Sequence, residues 1–428
     1  MNFSTQRVKG MKDLLPNESN EFESVVNVMK NEAKIYGFNL IRTPVLEHTE
    51  LFERSAGDSS DIVEKEMYTF KDKGGRSVTL RPEGTAGVLR AVVESGLHNN
   101  QLPLRLMYIS SCYRYEKPQS GRYREFNQFG LEIFGSKSYL ADAELICIAN
   151  SIINRLGIKN VQLEINSIGC SSCRKKYSNK LKNYFNSHTD KLCNICRERL
   201  SRNPMRIFDC KSDPCIKICE NAPSMLNFIC EECHNHFENL KNSLNKLDIP
   251  YTINPKIVRG LDYYSKNVFE FICNTPDGKL TICGGGRYDD LSKFMGGPEL
   301  PAIGFGMGIE RILMAMQNQK IDFMDPDPIE FFIATADGSD NTKLKAFQIC
   351  ENLRKSSIKA QMDISERSLK SQMKYANKIN AQFVIVLGKN ELLQNKAKIK
   401  KMSTGKETDI LIDDNLIKNI INAQYNLQ

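Results

Sequence analysis

The stretch that decides the fold is RLMYISSCYRYEKPQSGRYREFNQFGLEIFG, residues 105–135. Two runs of alternating side chains flank a loop of turn-forming and basic residues, a pattern that predicts an antiparallel hairpin. Because side chains alternate across a strand, the polar positions of each run fall on one face: Cys112, Arg114 and Glu116 in the first, and Gln128, Gly130 and Glu132 in the second. The other face of the second run is apolar. We therefore expect Arg114, Gln128 and Glu132 to point into one cleft.

The chemistry of this face suggests a ligand site. A guanidinium binds phosphate or carboxylate oxygens two at a time, and glutamate or glutamine can accept from amino or ring nitrogens. A glycine such as Gly130 leaves room for a ligand to approach the backbone. The connecting loop adds the basic residues Lys117, Arg122 and Arg124. The pattern alone is equally compatible with an ordinary hairpin whose polar face meets water.

Length and composition bound the class of protein. A chain of 428 residues predicts two or three domains, and 41% hydrophobic residues can supply a core. The formal charge of +8 permits contact with nucleic acid without requiring it. The sequence has no run of 18 apolar residues, which argues against a membrane-spanning helix. Its opening residues lack the apolar segment of a secretory signal, so we expect a cytoplasmic protein without a membrane partner.

Segments around the hairpin predict regular elements. Apolar residues at helical spacing indicate helices at about 18–36 and 141–156, and a strand is expected at 161–166. Short strands at 67–70 and 78–81 precede a helix that begins near Pro82, a residue favoured in the first turn. Glu83 then lies at a helix N-terminus, where the dipole stabilises a carboxylate. On this pattern alone, Glu83 is a helix-stabilising acid.

Nine of the 14 cysteines lie between residues 170 and 233, with CxxC pairs at 170/173, 193/196 and 230/233. An odd number of thiols cannot pair completely, and a cytosolic setting opposes disulfides. Separated CxxC pairs are typical of zinc knuckles. The first hypothesis for the ligands of a structural zinc ion is Cys193, Cys196, Cys230 and Cys233. The alternative is a set of buried or simply reduced thiols.

The end of the chain predicts a separate α/β domain. After DPDP at 325–328, strands are expected at 330–334, 359–362 and 383–387, with helices at 341–355 and 368–378, so the sheet should be parallel or mixed. Residues 328–428 contain 16 lysines and arginines against 11 acidic residues, and KAKIKKMSTGK supplies five of the lysines. A charged, solvated face is one explanation of this excess, and nucleic-acid contact is the other.

The segment YRYEKPQSGRYREFNQFGLEIFG, residues 113–135, resembles motif 2 of the class II aminoacyl-tRNA synthetases, in the form found in the histidyl-tRNA synthetases. Other segments match that family in its order along the chain: the motif 1 region at 42–70, LRPEGT at 80–85, IVRGLDYY at 257–264, CGGGRYDDL at 283–291 and AIGFGMGIERI at 302–312, which resembles motif 3. MDISERSLKSQMKYANKINAQFVIVLG, residues 362–388, resembles the family's anticodon-binding domain.

This resemblance implies an architecture. The expected fold is an α+β catalytic core built on an antiparallel sheet, of the class II synthetase type, over residues 1–325. A cysteine-rich insertion at 168–243 would interrupt the core, and an α/β anticodon-binding domain would occupy 328–428. The family also implies a homodimer, with the N-terminal helix, strand and proline building the interface.

The resemblance further implies residue roles. Arg114 and Arg259 would be catalytic, as clamps on the α-phosphate. The implied ligands of histidine are Glu83, Gly84, Thr85, Arg114, Gln128, Glu132, Arg259, Tyr263 and Tyr264, with Glu132 and Tyr264 on the imidazole nitrogens. The implied ligands of ATP are Arg114, Glu116, Arg122, Phe126 and Arg311, with Phe126 and Arg311 on either side of adenine. On the helical pattern alone, Arg311 would be a solvent-facing arginine.

The implied function is ATP-dependent ligation of L-histidine to its cognate tRNA through a histidyl-adenylate, with Mg²⁺ and with release of AMP and pyrophosphate. One alternative is a synthetase-like, non-catalytic regulatory subunit of ATP phosphoribosyltransferase. Loss of the catalytic arginines or of the C-terminal domain would favour it, yet the sequence keeps both. A second alternative is a zinc-ribbon nucleic-acid-binding protein, which leaves the substrate motifs unexplained.

Overall fold

The structure is a computed structural model that describes residues 6–56, 62–119, 121–257, 261–276, 278–323 and 328–427. Contacts within the chain divide it into two units, Met1–Phe323 and Met324–Gln428. Among the helices of the described residues, none is both long enough and apolar enough to cross a membrane.

Two sheets organise the first unit. Its strands are β1 (Asn39–Leu40), β2 (Leu46–His48), β3 (Tyr68–Lys71), β4 (Ser77–Leu80), β5 (Leu104–Tyr113), β6 (Glu125–Phe134), β7 (Val161–Gly169), β8 (Thr252–Ile253), β9 (Ser265–Thr275), β10 (Gly278–Arg287) and β11 (Ala302–Gly308). The large sheet has the order β1-β5-β6-β11-β10-β9-β7-β8, and the small one β2-β4-β3. The six central strands of the large sheet pair antiparallel, while β1 and β8 join its edges in parallel. The expected α+β core on an antiparallel sheet is therefore confirmed.

The predicted hairpin is the pair β5–β6, with Tyr108 opposite Gly130 and Ser110 opposite Gln128. The apolar face of β6 enters the core as expected. One detail of the prediction is wrong, because β5 ends at Tyr113, so that Arg114 and Glu116 lie in the loop beyond the strand. The backbone turns there, with the Glu116 N–H donating to the Arg114 carbonyl at 2.8 Å.

Helices cover both faces of the large sheet. The helices of the first unit are α1 (Pro16–Ile35), α2 (Thr49–Ala56), α3 (Thr85–Glu94), α4 (Tyr139–Arg155), α5 (Ser171–Asn186), α6 (Asn194–Arg202), α7 (Asp213–Glu220), α8 (Glu231–Lys246), α9 (Leu291–Phe294) and α10 (Ile309–Asn318). The main core forms where α1, α4, α8 and α10 pack on one face; its buried side chains include Val25, Met29, Phe129, Leu131, Ile146, Phe237, Phe305 and Ile312. A second core lies on the other face, where α3 meets Tyr108, Tyr263 and Tyr288.

The cysteine-rich insertion leaves the large sheet after β7 and returns to it at β8. Between them lie α5 to α8 and three short 3₁₀ turns, Thr189–Lys191, Pro204–Asp209 and Met225–Asn227. The insertion has its own core, in which Tyr177, Leu181 and Phe185 pack with buried cysteines. Helix α8 belongs to both cores, because its Cys233 is buried in the insertion while Phe237 is buried beneath the sheet.

The second unit is an α/β domain with a mixed sheet. Its strands are β12 (Phe331–Thr335), β13 (Ala360–Met362), β14 (Phe383–Leu387), β15 (Lys396–Lys401) and β16 (Glu407–Leu411), and its helices are α11 (Asp340–Lys355), α12 (Leu369–Lys378), α13 (Lys389–Gln394) and α14 (Leu416–Leu427). The order is β13-β12-β14-β15-β16. Strand β12 pairs parallel with β13 and β14, whereas β15 pairs antiparallel with β14 and β16. The α/β fold class predicted for this part of the chain is confirmed.

Candidate active site

A polar cleft lies where the β5–β6 loop meets β10, β11 and the start of α10. The residues proposed for ATP all line it: Arg114, Glu116, Arg122, Phe126 and Arg311. They come from two segments almost 200 positions apart in sequence. The sheet brings these segments together because β11 pairs with β6 along its whole length.

Arg114 is held rigidly at this cleft. Its Nε donates to the Pro82 carbonyl at 2.9 Å, and its guanidinium carbon lies 5.2 Å from the centroid of the Phe126 ring. The Glu116 carboxylate is 3.9 Å from the guanidinium and 3.4 Å from that of Arg122. A planar group fixed in this way can present its remaining N–H donors to a phosphate in one orientation.

Arg311 also faces the cleft rather than solvent, so the simple helix-surface interpretation is wrong. Its Nε donates to the Gly121 carbonyl at 3.2 Å, and another guanidinium nitrogen donates to the Thr281 carbonyl at 2.9 Å. Burial lowers the pKa of the Arg311 guanidinium, and the nearby charge of Arg122 adds to this. Two close arginines that repel one another, in a cleft lined by few acids, form a site that favours an anion.

Glu83 is a buried helix cap that lies close to Tyr263. Its carboxylate accepts from the N–H of Thr85 at 3.0 Å and of Ala86 at 2.8 Å, at the start of α3. Burial raises the pKa of Glu83, while these N–H donors oppose part of that change. The hydroxyl of Tyr263 lies 3.5 Å from the same carboxylate. The helix-stabilising function inferred from the pattern is therefore real, and it fixes the carboxylate beside the Tyr263 hydroxyl.

Glu132 is fully buried, with no exposed surface. The Thr85 hydroxyl donates to one of its oxygens at 2.8 Å, and the Tyr288 hydroxyl donates to the other. Burial raises the pKa of Glu132 to about 8. Gly304 on β11 lies directly opposite Glu132, and a Cβ at that position would be 1.6 Å from the carboxylate. The glycine is thus required for the carboxylate to occupy this position.

Gly130 does not serve as a ligand approach, contrary to the prediction. The ring of Tyr108 occupies its open side, since a Cβ on Gly130 would lie 2.1 Å from that ring. A Cβ on Gly84 would likewise lie 2.1 Å from the opposite edge of the same ring. The Gly84 N–H is engaged as well, donating to Gln128 Oε1 at 3.0 Å. Tyr108 therefore packs between the LRPEGT segment and strand β6 of the hairpin.

The remaining predicted residues have different outcomes. Tyr263 and Tyr264 are both buried, with ring centroids 4.7 Å apart, and Tyr263 also packs on Tyr288. The Tyr288 hydroxyl donates to Glu132, and the contact of Tyr264 with the imidazole stays a prediction. Arg259 lies outside the described residues, so its function remains a prediction.

Sequence reasoning missed Tyr108, Tyr288 and Glu310. Tyr108 lies opposite Gly130 in the hairpin register, which the sequence alone does not determine. Tyr288 lies inside the glycine-rich motif at 283–291, next to Arg287 and Asp289. Glu310 precedes Arg311, and its carboxylate accepts from the Asn127 backbone at 2.9 Å and 3.0 Å, which ties α10 to β6.

A second cleft lies within the C-terminal unit, beside the end of β12. Residues Thr335, Lys343, Phe347 and Arg367 are among those that line it. Gln372 of α12 fixes its floor by accepting from the Thr335 N–H at 2.8 Å. The lysines of β15 form a separate surface, because Lys396 and Lys398 are exposed while the intervening Ala397 is buried. Lys396 and Lys398 therefore lie on the exposed face of this strand.

Comparison with known proteins decides the family. The family model for histidyl-tRNA synthetase matches residues 10–172 and 222–312, and an anticodon-binding domain model matches 331–422. A histidine–tRNA ligase of Caldanaerobacter subterraneus subsp. tengcongensis is 48% identical over 96% of this chain and 98% of its own length. One from Clostridium perfringens is 47% identical over 97% of this chain and 99% of its own length. The chain belongs to the histidyl-tRNA synthetase family.

A solved structure agrees with this assignment. The apo histidyl-tRNA synthetase of S. aureus has a TM-score of 0.83 and 36% sequence identity, covering 97% of this chain and 100% of that one. The resemblance to class II synthetases and the corresponding fold class are therefore confirmed. A Bacillus halodurans protein described as an ATP phosphoribosyltransferase regulatory subunit/histidyl-tRNA synthetase has a TM-score of 0.66 at 24% identity, covering 91% of this chain and 99% of that one. At that identity the likeness shows the fold alone.

The part of the chain that the histidyl-tRNA synthetase model passes over, residues 173–221, contains six of the nine clustered cysteines. The structure corrects the predicted zinc ligands. Cys230 and Cys233 lie with Cys170 and Cys173, which we name the outer cluster; Cys193 and Cys196 lie with Cys210 and Cys215, which we name the inner cluster. The predicted grouping is wrong because the chain brings the third CxxC pair, 230/233, back beside the first pair, 170/173. The second pair, 193/196, lies instead with two cysteines that follow it closely in sequence, Cys210 and Cys215.

Proposed function

We propose that the chain activates L-histidine with ATP in the cleft and the buried polar cluster described above, and then transfers the histidyl group to the 3′ end of the cognate tRNA. The ligase activity follows from membership of the histidyl-tRNA synthetase family, whose curated relatives match nearly the full chain. The assignment of individual residues is our proposal. It rests on one observation above all: the buried acid Glu132 is hydrogen-bonded to Thr85, beside the Gly84–Gln128 bond at the edge of the arginine-lined cleft. We take the buried cluster around Glu132 as the pocket for the histidine side chain.

Bonds on the sheet face link this pocket to the cleft. Gln128 lines the cleft and accepts from the Gly84 N–H, and the neighbouring Thr85 donates to Glu132. An amino acid whose side chain reaches Glu132 would thus have its carboxylate directed towards Arg114. Holding the two anionic reactants in this orientation removes much of the entropic cost of their encounter.

In the first step, a carboxylate oxygen of histidine attacks the α-phosphorus of ATP. The new oxygen–phosphorus bond forms as the bond to the bridging oxygen breaks, and pyrophosphate leaves. Arg114 and Arg259 stabilise the charge that develops on the α-phosphate, while Arg122 and Arg311 bind the distal phosphates. Phe126 and Arg311 hold the adenine between them.

Mg²⁺ would neutralise phosphate charge when bound. The carboxylates of Glu116 and Glu310 line the cleft, and oxygen ligands of this kind suit the ion.

The imidazole of histidine is recognised by Glu132, with Tyr264 as a second partner and Tyr288 orienting the carboxylate. The raised pKa of Glu132 means that the empty pocket holds a proton, which the imidazole can accept on binding. A charged pair then forms inside the pocket, and a side chain without ring nitrogens would leave Glu132 unpaired. Glu83, Thr85 and Gln128 bind the α-amino group beside the Gly84 backbone, and Tyr263 supports Glu83.

Transfer to tRNA requires the second unit. Its match to an anticodon-binding model, its net basic charge and its own cleft support contact with the histidine tRNA. The terminal ribose hydroxyl attacks the adenylate carbonyl, and AMP leaves. We further propose that the enzyme works as a homodimer in the cytoplasm and that its cysteines bind structural zinc.

ATP–pyrophosphate exchange with each of the twenty amino acids tests this function. We expect exchange with histidine and essentially no other amino acid, followed by charging of the histidine tRNA. Exchange with a different amino acid, and none with histidine, would refute the substrate assignment. If neither exchange nor charging occurs but the chain stimulates an ATP phosphoribosyltransferase, the regulatory alternative is correct.

A further inference from the structure

The geometry points to two structural zinc ions in the insertion, one held by the outer cluster and one by the inner cluster. Within each cluster, the four sulfur atoms all lie within 4.8 Å of one another. Tetrahedral zinc with Zn–S bonds of about 2.3 Å requires sulfurs about 3.8 Å apart. The Cys170 and Cys173 sulfurs are 3.5 Å apart, and those of Cys193 and Cys210 are 3.8 Å apart. These separations are near the requirement for a single ion and far from the roughly 2.05 Å of a disulfide.

The two clusters share a construction. Each of Cys170, Cys193 and Cys230 is the residue immediately before a helix, respectively α5, α6 and α8. The second cysteine of each CxxC pair therefore lies in the first helical turn, and both sulfurs sit at the positive end of the helix dipole, which favours thiolates. One member of each pair is buried and the other is partly exposed. This arrangement leaves an entry path for the ion on one side.

Backbone N–H groups, two of them from cluster cysteines and one from Ser212, point at the sulfurs. The Cys230 N–H donates to the Cys173 sulfur at 3.0 Å in the outer cluster. In the inner cluster, the Cys193 N–H donates to the Cys215 sulfur at 3.3 Å and the Ser212 N–H to the Cys210 sulfur at 3.4 Å. Such donors stabilise the negative charge of thiolate ligands and fix their orientation, as outer groups around metal sites commonly do.

Charge balance also fits two ions. A zinc ion with four thiolates carries a charge of −2, so two sites add −4. Residues 168–243 contain 13 lysines and arginines against 8 aspartates and glutamates, a net charge of +5. The two occupied sites would nearly neutralise this excess. Eight of the nine thiols would be used, and Cys219, buried and directed at the Ile207 carbonyl 3.7 Å away, is left as an ordinary core residue.

The two sites would stabilise different parts of the insertion, because the inner cluster lies in sequence between the two CxxC pairs of the outer cluster. The outer cluster joins the residue after β7 to the start of α8, so it closes the insertion where it leaves and re-enters the sheet. The inner cluster ties α6 and α7 together around the 3₁₀ turn between them. Arg174, next to Cys173, donates to the carbonyls of Asp262 and Tyr264 at 3.1 Å and 2.9 Å. Metal in the outer cluster would therefore steady the tyrosine segment beside the histidine pocket.

Metal analysis of the purified full-length chain, expressed with zinc and without chelator, tests the inference. We expect two zinc ions per chain. After removal of zinc, two equivalents of Co²⁺ should give the visible absorption of tetrahedral tetrathiolate cobalt, and thiol titration of the zinc form should leave the eight cluster thiols protected. One zinc or none per folded chain, iron in place of zinc, or all nine thiols freely reactive would each overturn the proposal.

Paired variants assign the ions. Cys230→Ser with Cys233→Ser should retain one zinc, as should Cys210→Ser with Cys215→Ser, whereas the matched control Cys219→Ala should retain two. Retention of two ions in either paired variant would refute that cluster as a ligand set. If a paired variant does not fold, the Co²⁺ equivalents bound by the unaltered chain still decide between two sites and fewer. This readout does not depend on the proposed ligase chemistry.

Discussion

Arg114 shows how much of the proposed chemistry depends on one rigid side chain. Lysine would keep the positive charge but lose the planar fork and the bond to the Pro82 carbonyl. We expect Arg114→Lys to slow histidine-dependent ATP–pyrophosphate exchange by ~10²-fold, the usual cost of a lost transition-state donor. Arg105→Lys is the matched control, since Arg105 lies on β5, the strand that leads to Arg114, but pairs with Glu144. Near-normal exchange in Arg114→Lys would show that Arg114 does not bind the phosphate.

Glu132 is the residue at which substrate recognition conflicts with stability. Its pKa of about 8 lies above the ordinary 4.5, so the folded chain holds a proton that the unfolded chain releases. Stability contributed at low pH is therefore lost as the pH rises from about 4.5 towards 8. Glu132→Gln cannot titrate, and we expect its free energy of unfolding to decline less between pH 5 and pH 8. Urea denaturation of both proteins at the two pH values measures this difference, and an unchanged pH dependence would contradict it.

The same substitution should weaken histidine binding. A hydrogen bond to a charged group contributes about 1.5–3 kcal/mol, so the KM for histidine should rise roughly 10–100-fold. The KM for ATP should stay near that of the unaltered enzyme, because Glu132 is outside the nucleotide cleft. If the KM for ATP rises as much as that for histidine, Glu132 supports the whole site and does not select the imidazole.

At the scale of elements, strand β11 makes room for Glu132 because Gly304 has no side chain. Gly304→Ala would place a Cβ 1.6 Å from the Glu132 carboxylate, so the carboxylate must move. Overpacking of this kind costs about 1–3 kcal/mol, and we expect a lower Tm with a KM for histidine raised roughly tenfold. In a Glu132→Ala background, Gly304→Ala should add little to the KM, which a double-mutant cycle measures. Gly338→Ala, where the added carbon meets no atom within 4 Å, is the control.

The elements were the part of the structure that the sequence predicted best. The 3.6-residue and two-residue periods located helices such as α4 and strands such as β6, because each buries one face. The periodicity could not predict which residues distant in sequence contact one another. The three CxxC pairs look alike locally, and the return of α8 to β7 decides which of them meet. Likewise, nothing local indicates that Tyr108 fills the space above Gly130, since that depends on the strand register and on the LRPEGT segment together.

At the scale of the whole molecule, the residues proposed for histidine and ATP lie in the first unit, and the basic α/β unit follows it. The proposal therefore separates amino acid activation from tRNA binding. A chain ending at Asp325 should still make histidyl-adenylate in single-turnover assays, provided that it folds and keeps its oligomeric state. It should charge the histidine tRNA poorly, because the loss of anticodon and backbone contacts removes both affinity and orientation.

Salt dependence distinguishes a tRNA-binding unit from a merely charged surface. Each phosphate that a basic side chain neutralises releases counterions, so the affinity of the full chain for tRNA should fall steeply as salt is added. The truncated chain makes fewer such contacts, and its slope of log affinity against log salt should be shallower. A full chain in which the exposed lysines of β15 are changed to glutamine, Lys396→Gln with Lys398→Gln, tests that surface separately. If truncation leaves charging and the salt slope unchanged, the second unit does not bind tRNA and its positive charge only faces solvent. If truncation lowers both while the lysine variant changes neither, the contact lies in the cleft beside β12 and not on the lysine face.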